Sequence, residues 1–308
     1  CSIMTHGYHP ELSLYSPYLG ASYSVVEALA RVTAMGGNYE TCRLTNQEYF
    51  ERLHTDPEKW GKPMQALLGL IEAEMAFETP AIGGKDSMSG TFNDISVPPT
   101  LITFAVTTEK TEHIISPEFK AAGNHIYYIK HTPKENKTPD YDELKANFAK
   151  VRDLIRKGSI CSAATVKFGG LAEALCKMSF GNKIGVEVKT SENVFDLSIG
   201  SIVVESTEEI HDEAFVLIGK TIAADTICIN EECITIDHAI AAWCERYNTI
   251  YPMSVDQEES VIETPEYTAK ERVHAKKTID KPKVIIPVFP GQNCEYDTKQ
   301  QFERAGAE

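Results

Sequence analysis

Helical repeats of apolar residues dominate the first part of the chain, up to about Glu109. Residues 22–35 are rich in helix formers and are followed by two glycines, which commonly end a helix. A second helix is predicted over residues 63–77, with one proline in its first turn and another just beyond its end. The apolar run at 101–107 predicts a strand, so this first unit mixes helices and strands.

A change of composition near residues 110–122 predicts a boundary between two units. Strand and helix patterns then follow one another in mixed order, which is typical of an α+β domain. The predicted strands are residues 125–130, 185–189, 198–205, 215–222 and 226–229. The predicted helices are residues 141–157, 171–180 and 236–247.

Residues 253–281 are charged, poor in large apolar side chains and without clear periodicity, and we interpret them as a linker. Residues 283–289 then predict a buried strand, and a helical pattern follows it. We interpret residues 282–308 as the truncated start of a third, α/β domain. Because the chain opens at Cys1 and closes inside a helical pattern, we expect it to be a fragment of a longer protein.

The composition narrows the classes of partner. The chain has 308 residues, of which 42% are hydrophobic and 24% charged, which suits about two compact domains. Its formal net charge of -15 would repel polyphosphate backbones, so we expect neither nucleic acid nor a membrane surface as a partner. Neither a membrane span of about 20 apolar residues nor a signal peptide is present in the sequence, which predicts a cytoplasmic protein.

Eight cysteines are scattered along the chain, with no Cys-x-x-Cys pair and no Cys/His cluster at zinc spacing. We expect them to be reduced, mostly buried thiols. The histidines near the amino terminus, His6 and His9, are isolated in sequence, and we predict no catalytic role for them.

The sequence most suggestive of chemistry is PAIGGKDSMS, at residues 80–89. Glycines 83 and 84 would let backbone N–H groups approach phosphate oxygens, Lys85 offers a positive charge, and Asp86 could hold Mg²⁺ or orient a hydroxyl. From these residues alone, a glycine turn with polar surface residues explains the pattern at least as well.

The same string resembles the GGKDS signature in the second half of the large, single-chain phosphoribosylformylglycinamidine synthases. Residues 16–37 resemble the helix upstream of that signature, and residues 284–297 resemble the first strand and turn of the family's glutamine amidotransferase domain. The three matches occur in the family's order and span nearly the whole chain, so together they are more specific than any one of them.

The resemblance implies a fold. The family contains two tandem repeats similar to aminoimidazole ribonucleotide synthetase, whose amino-terminal subdomains pair into a shared β-barrel. Residues 1–109 would be the half-barrel subdomain of the second repeat and residues 110–252 its α/β sandwich subdomain. The linker at 253–281 and the truncated amidotransferase start at 282–308 would follow.

The resemblance also implies a ligase. In the family, ATP activates the amide oxygen of formylglycinamide ribonucleotide, and ammonia from glutamine displaces the phosphate. Gly83, Gly84, Lys85, Asp86 and Ser87 would face a phosphate-bearing ligand. The first repeat, which supplies the catalytic His, and a Gly-x-Cys-x-Gly nucleophile elbow are missing from this sequence. We therefore predict no catalytic residue, an inactive isolated fragment, and as partners the first repeat and amidotransferase domain of the same chain.

Family members of the bacterial type hold an auxiliary nucleotide with Mg²⁺ in the second repeat. Glu27 matches a metal ligand there, but Arg31 replaces an Asn, and a stretch with two Asp residues reads TVKFGGL at 165–171. One hypothesis is that Arg31 and Lys167 replace the metal ions and that ATP or ADP is lost or held differently. The other is that Glu27 and Arg31 form an ordinary exposed (i, i+4) pair.

Two further functional interpretations remain open. The chain could be a non-catalytic scaffold half of the ligase that closes the barrel. It could also belong to a related ATP enzyme, such as a stand-alone aminoimidazole ribonucleotide synthetase, a thiamine-phosphate kinase or a selenophosphate synthetase. The amidotransferase-like start at Val284 argues against the related enzymes. An isolated fragment is also expected to self-associate through its open barrel edge.

Overall fold

A computed structural model describes residues 1–253, 268–271, 274–290, 292 and 294–308. The chain forms two compact units, Cys1–Met253 and Ser254–Glu308, which are described separately. Among the residues described, none of the helices combines the length and the apolar composition that crossing a bilayer requires.

The first 108 residues form a four-stranded sheet with two long helices on one face. Its strands are β1 (Ser2–Gly7), β2 (Arg43–Tyr49), β3 (Ala81–Lys85) and β6 (Thr100–Thr108), and β4 (Thr91–Phe92) and β5 (Ile95–Ser96) form a separate short hairpin. The helices are α1 (Pro10–Tyr15), α2 (Pro17–Ala34) and α3 (Pro57–Phe77). The sheet order is β1-β6-β2-β3, and the only parallel pair in this sheet is β2 with β3.

Alternation along the strands gives this sheet one buried and one exposed face. Ile3, Leu44 and Ala105 point toward the helices and are at most 1% exposed. Met4 and Val106 are paired neighbours on the opposite face, with 76% and 38% of their surfaces exposed. A face with large apolar side chains in contact with solvent is a surface that other proteins can cover.

Capping residues explain why the two long helices begin earlier than predicted. The Ser16 hydroxyl accepts a hydrogen bond from the Leu19 N–H at 3.3 Å, so α2 begins at Pro17 and not near residue 22. In α3, the Asp56 carboxylate accepts bonds from the second and third N–H groups, and Pro57 occupies the first position. The second proline of α3 therefore lies inside the helix.

The rest of the first unit is built on a seven-stranded sheet. Its strands are β7 (His125–Ile129), β8 (Ile160–Thr165), β9 (Gly185–Val188), β10 (Ile202–Ser206), β11 (Val216–Ile222), β12 (Thr226–Ile229) and β13 (Glu232–Thr235). They lie in the order β13-β12-β9-β11-β7-β10-β8, with only β9 and β12 parallel in this sheet. The helices are α4 (Tyr141–Lys157), α5 (Gly170–Phe180) and α6 (Ile236–Glu245).

Helix α2 lies at the centre of the larger hydrophobic core. Fifteen of its 18 residues are buried, and it contacts β1, β6 and α3 on the first sheet and β8 and α4 on the second. Side chains from both sheets join this core, including Tyr127 and Ile129. The opposite face of the seven-stranded sheet packs on α5 and α6 in a second core, which includes Ile126 and Tyr128. The mixed α+β architecture is confirmed.

The expectation that all cysteines are reduced thiols is wrong for one pair. Cys228 and Cys233 lie opposite each other on β12 and β13, with Cα atoms 4.2 Å apart, and form a disulfide. Antiparallel pairing brings the two side chains together at a separation of five residues. This spacing differs from Cys-x-x-Cys, so the pattern did not predict the pair. The other six cysteines are free thiols.

The predicted buried strand at residues 283–289 is also wrong. No strand forms over these described residues, and Ile285 is 90% exposed. A strand needs a run of backbone hydrogen bonds to a neighbouring strand. The start of this segment makes two bonds to Glu308, from the Val284 N–H to the Glu308 carbonyl and from the Glu308 N–H to the Pro282 carbonyl, and no strand pairs with it within the described part of the second unit. The helix predicted after it is present as α7 (Glu295–Arg304).

An aromatic cluster joins the two halves of the larger core and provides a test of the fold. Phe77 is 3% exposed and packs against Tyr39, Tyr141 and Phe148, with ring centroids 5.5 to 6.1 Å apart. We expect Phe77→Ala to lower the free energy of unfolding by about 3–5 kcal/mol in urea titrations, because it leaves a cavity in this cluster. Phe92→Ala, at a position 76% exposed, is the matched control and should change it by about 0.5 kcal/mol or less. Equal losses would contradict the described core.

Candidate functional site

The GGKDS residues lie at the open edge of the four-stranded sheet. Strand β3 continues through Gly83 and Gly84 to Lys85, so the interpretation of the two glycines as a turn is wrong. A Cβ on Gly84 would lie 2.5 Å from the carbonyl oxygen of Asn46 on β2, so a side chain has no room there. Gly83 faces open space, which leaves its backbone accessible to a ligand.

Strand register and a backbone hydrogen bond determine where this segment lies. Lys85 pairs with Gln47, which places it on the exposed face. Asp86 follows the end of β3, and its negative charge acts on Glu48. The Ser87 N–H donates to the Glu48 carbonyl at 3.1 Å and fixes the chain beyond β3 against β2. Lys85 and Asp86 are both exposed.

Strand β2, the neighbour of the GGKDS strand, carries two buried polar residues that sequence reasoning missed. Asn46 and Glu48 follow Leu44 on the face toward α3 and are 8% and 7% exposed. The Asn46 amide donates to Glu74 Oε1 at 3.0 Å, whereas Glu48 Oε1 has no hydrogen-bond partner among the described residues. The sequence did carry a signal for them, because Asn46 and Glu48 stand at the positions of the alternating strand that are expected to be buried.

The environment of Glu48 disfavours its charge. Burial, and next the negative charge of Asp86, raise the pKa of Glu48 to about 7. Burial also raises the pKa of Glu74, although the Asn46 hydrogen bond opposes that change. A carboxyl group with a pKa of about 7 therefore lies on β2, the strand next to the GGKDS strand.

A second candidate site is a cleft of about 960 Å³ in the first unit. Its floor is Glu27 on α2, which is 2% exposed. Its sides come from the β1–α1 region, from the segment that enters α5, and from α6 and the residues after it. The structure thus brings Glu27, Arg31 and Lys167 into one cleft. Arg31 is about 50 residues before the GGKDS strand in the sequence.

Both carboxylate oxygens of Glu27 are engaged. Oε1 forms an ion pair with Arg31, and Oε2 lies 2.5 Å from His9 Nε2 and 3.4 Å from the Tyr8 N–H. The interpretation of Glu27 and Arg31 as an exposed surface pair is wrong, since the Glu27 side chain is 3% exposed and that of Arg31 21%. His9, which sequence reasoning set aside as isolated, is a direct partner of the buried acid.

The charges in this cleft act on one another. Burial alone would raise the pKa of Glu27, but the hydrogen bond and charge of His9, with Arg31 and Lys167, hold it below its ordinary value. Burial, then the charge of Arg31, lower the pKa of Lys167. The Lys167 ammonium has no ion-pair or hydrogen-bond partner in the chain as far as it is described, and Lys167 lines the cleft.

These residues do not fit the Mg²⁺ that the family resemblance implies. Magnesium takes oxygen ligands in an octahedral arrangement, and the only buried carboxylate at this position is already bound by Arg31 and His9. Phe168 and Thr165 stand where the family has Asp residues. Over the described ranges, no three His, Cys, Asp or Glu side chains are grouped so as to hold a metal ion.

Comparison with curated proteins gives relatives named PurL at low identity. No family model matches the chain. The phosphoribosylformylglycinamidine synthase subunit PurL of Methanocaldococcus jannaschii is 26% identical over 201 residues, which cover 58% of this chain and 27% of that protein. PurL of Lactobacillus delbrueckii is 24% identical over 236 residues, covering 70% and 31%. The chain spans under a third of the length of these curated relatives.

Solved structures show the same fold. Thermotoga maritima PurL complexed with FGAR superposes with a TM-score of 0.66 at 13% identity, covering 88% of this chain and 49% of that one. A chain of the HypE–HypF complex gives 0.56 at 12% identity, covering 76% and 88%, and thiamine monophosphate kinase of Aquifex aeolicus gives 0.52 at 11%, with the same coverages. The synthetase-like fold expected from the sequence is confirmed.

The raised pKa of Glu48 predicts a pH-dependent stability. Since the folded state holds a proton on Glu48 that the unfolded state releases near pH 4.5, this group destabilises the fold as pH rises from about 4.5 to 7, by about 3 kcal/mol at most. Glu48→Gln should therefore gain melting temperature relative to the original chain between pH 5 and pH 8. The exposed control Glu213→Gln should show no such trend. A constant difference for Glu48→Gln would contradict this assignment.

Proposed function

We propose that this chain is part of the ATP- and glutamine-dependent ligase that converts formylglycinamide ribonucleotide to formylglycinamidine ribonucleotide in purine biosynthesis. The observation that carries the proposal is the placement of Gly83–Ser87 at the open edge of a sheet whose outer face is uncovered. Relatives named PurL, and a structure of PurL complexed with FGAR, support the choice of substrate.

The edge segment has the groups that a phosphate ester requires. Gly83 presents backbone without a side chain in the way, and Lys85 brings an ammonium group to the exposed face. Asp86 is exposed just beyond β3, where its role would be to fix the segment or to bind a hydroxyl group of the ligand. Ser87 is held by β2 through its backbone.

The uncovered sheet face supports a partner of the same fold. Met4, Phe104 and Val106 form an apolar row on adjacent strands, with 76%, 43% and 38% of their surfaces exposed. In the proposed enzyme the first synthetase-like repeat covers this row, and the amidotransferase domain delivers ammonia. The assignments of residues 253–281 as the linker and 282–308 as the start of that domain rest on the sequence match.

A second candidate function is a scaffold half of the same ligase, without a catalytic part. The closed arrangement of Arg31, Glu27 and His9 favours it, because a nucleotide–metal site of the family's kind has no free carboxylate here. A related ATP enzyme is supported by fold likeness alone.

The two functions differ in an assay of ligase turnover with ammonium chloride as nitrogen donor and ATP as phosphate donor. We expect the chain alone to release no ADP when formylglycinamide ribonucleotide is added. A mixture of the chain with the separately produced first repeat should release ADP when this substrate is present. In that mixture Lys85→Ala should lower kcat/KM by about 10- to 150-fold, the loss of one charged hydrogen bond.

The control is Lys220→Ala, at an exposed position on β11 of the other sheet. Turnover by the chain alone would contradict the requirement for the first repeat. A mixture that works equally well with Lys85→Ala would reject the phosphate-binding role of the edge segment and support the scaffold. No turnover in any mixture, with both parts folded, would count against the ligase itself.

A further inference from the structure

We propose that the Glu27 cleft binds a nucleoside diphosphate directly through Lys167 and Arg31, without a divalent cation. The proposal goes beyond the ligase reaction, and it rests on the proposed function only in the choice of a nucleotide as ligand. Its starting observation is the disagreement between the metal expected from the family and the residues in the cleft.

The positive charge in the cleft is not fully neutralised. Arg31 is paired with Glu27, and Lys177 donates to Glu173 at 2.5 Å, so these two pairs balance. Lys167 is left without such a partner among the described residues, although most of its surface is covered. A half-buried ammonium group gains most from an anionic ligand, since water solvates it poorly there.

Three basic groups converge on one part of the cleft. His6 Nε2 lies 3.3 Å from Arg31 Nη1, and the charges of Arg31 and Lys167 each lower the pKa of His6, after burial. The lowered pKa favours a neutral His6 ring that can accept from Arg31, whereas Arg31 and Lys167 repel each other, and an anion bound between them would relieve that repulsion. A diphosphate, with its several oxygens, can contact Lys167 and Arg31 together.

The surroundings suit a planar ring joined to the diphosphate. Trp243 and Tyr247 line one wall of the cleft, and the Lys177 ammonium lies 5.7 Å from the Trp243 ring centroid. A second cavity of about 610 Å³ shares His6, Arg31 and Lys167 with the first and is otherwise largely apolar. A base can therefore stack on the aromatic wall or enter the apolar cavity while its phosphates stay at the basic groups.

A divalent cation would be disfavoured at the same place. The guanidinium of Arg31 already binds Glu27 Oε1, an oxygen that a cation would need as a ligand. The Lys167 ammonium adds a further positive charge to the cleft, which would repel a cation. In this chain the two side chains perform the charge neutralisation that a metal ion would otherwise perform.

The test is calorimetric titration of the full chain with ADP, once in EDTA and once in excess Mg²⁺. We expect binding in EDTA, with an affinity equal to or greater than that in Mg²⁺. Pyrophosphate is the second probe and should bind more weakly than ADP, because it lacks the ring. Binding of ADP that appears only with Mg²⁺, or no binding of either probe, would overturn the proposal.

Two substitutions at Lys167 separate charge from structure. Lys167→Met should weaken ADP binding at least tenfold, whereas Lys167→Arg, which keeps the charge, should stay within about fivefold. Lys220→Met is the matched control and should leave the affinity unchanged. If Lys167→Met binds as the original chain does, with an unchanged melting temperature, the proposed contact is absent.

The opposite experiment restores the family's ligands. The combined variant Arg31→Asn, Thr165→Asp and Phe168→Asp should make ADP binding dependent on Mg²⁺, at least tenfold tighter with the ion than in EDTA. Folding of this variant is checked by its melting temperature. A folded variant that still prefers EDTA would show that these positions do not decide the metal requirement. Both binding tests are independent of ligase turnover, so failure here and failure of the proposed reaction are distinguishable.

Discussion

The contact on which much of the first unit depends is the neutralisation of Glu27 inside the core. This carboxylate lies on α2 among residues that are almost completely buried, where an unpaired charge would be costly. Arg31 one turn later and His9 from the β1–α1 connection supply the compensation. The pairing fixes the amino-terminal connection against α2 and at the same time defines the floor of the larger cleft.

The two candidate sites use the same sheet differently. The GGKDS segment lies on its free edge at β3, with Lys85 toward the uncovered face and Asp86 just beyond the end of the strand. The Glu27 cleft lies at the other end of the strand order, next to β1, where the connection to α1 begins. The two proposed sites are thus separated by the width of the sheet.

The sequence predicted the regular elements well where periodicity and end signals agreed, as in α4, whose predicted bounds match the structure. The sequence prediction failed where the structure depends on which strands pair with each other. Residues 283–289 have the composition of a strand but no strand beside them, and Cys228 meets Cys233 only because β12 and β13 pair in one register. At the sites, the family resemblance indicated Arg31 and Lys167, and the alternation of β2 marks Glu48 as buried, whereas the partner of His9 and the raised pKa of Glu48 depend on tertiary neighbours.

Helix α2 has a further consequence for how the molecule can be divided. The change of composition near residues 110–122 separates the two sheets along the chain, but α2 packs against both of them. Cutting the chain at that point would leave β8 and α4 without the helix that they pack against and would expose the part of α2 that contacts them. The two sheets therefore share one hydrophobic core, and separating them would require a redesigned surface on the part of α2 that packs against β8 and α4.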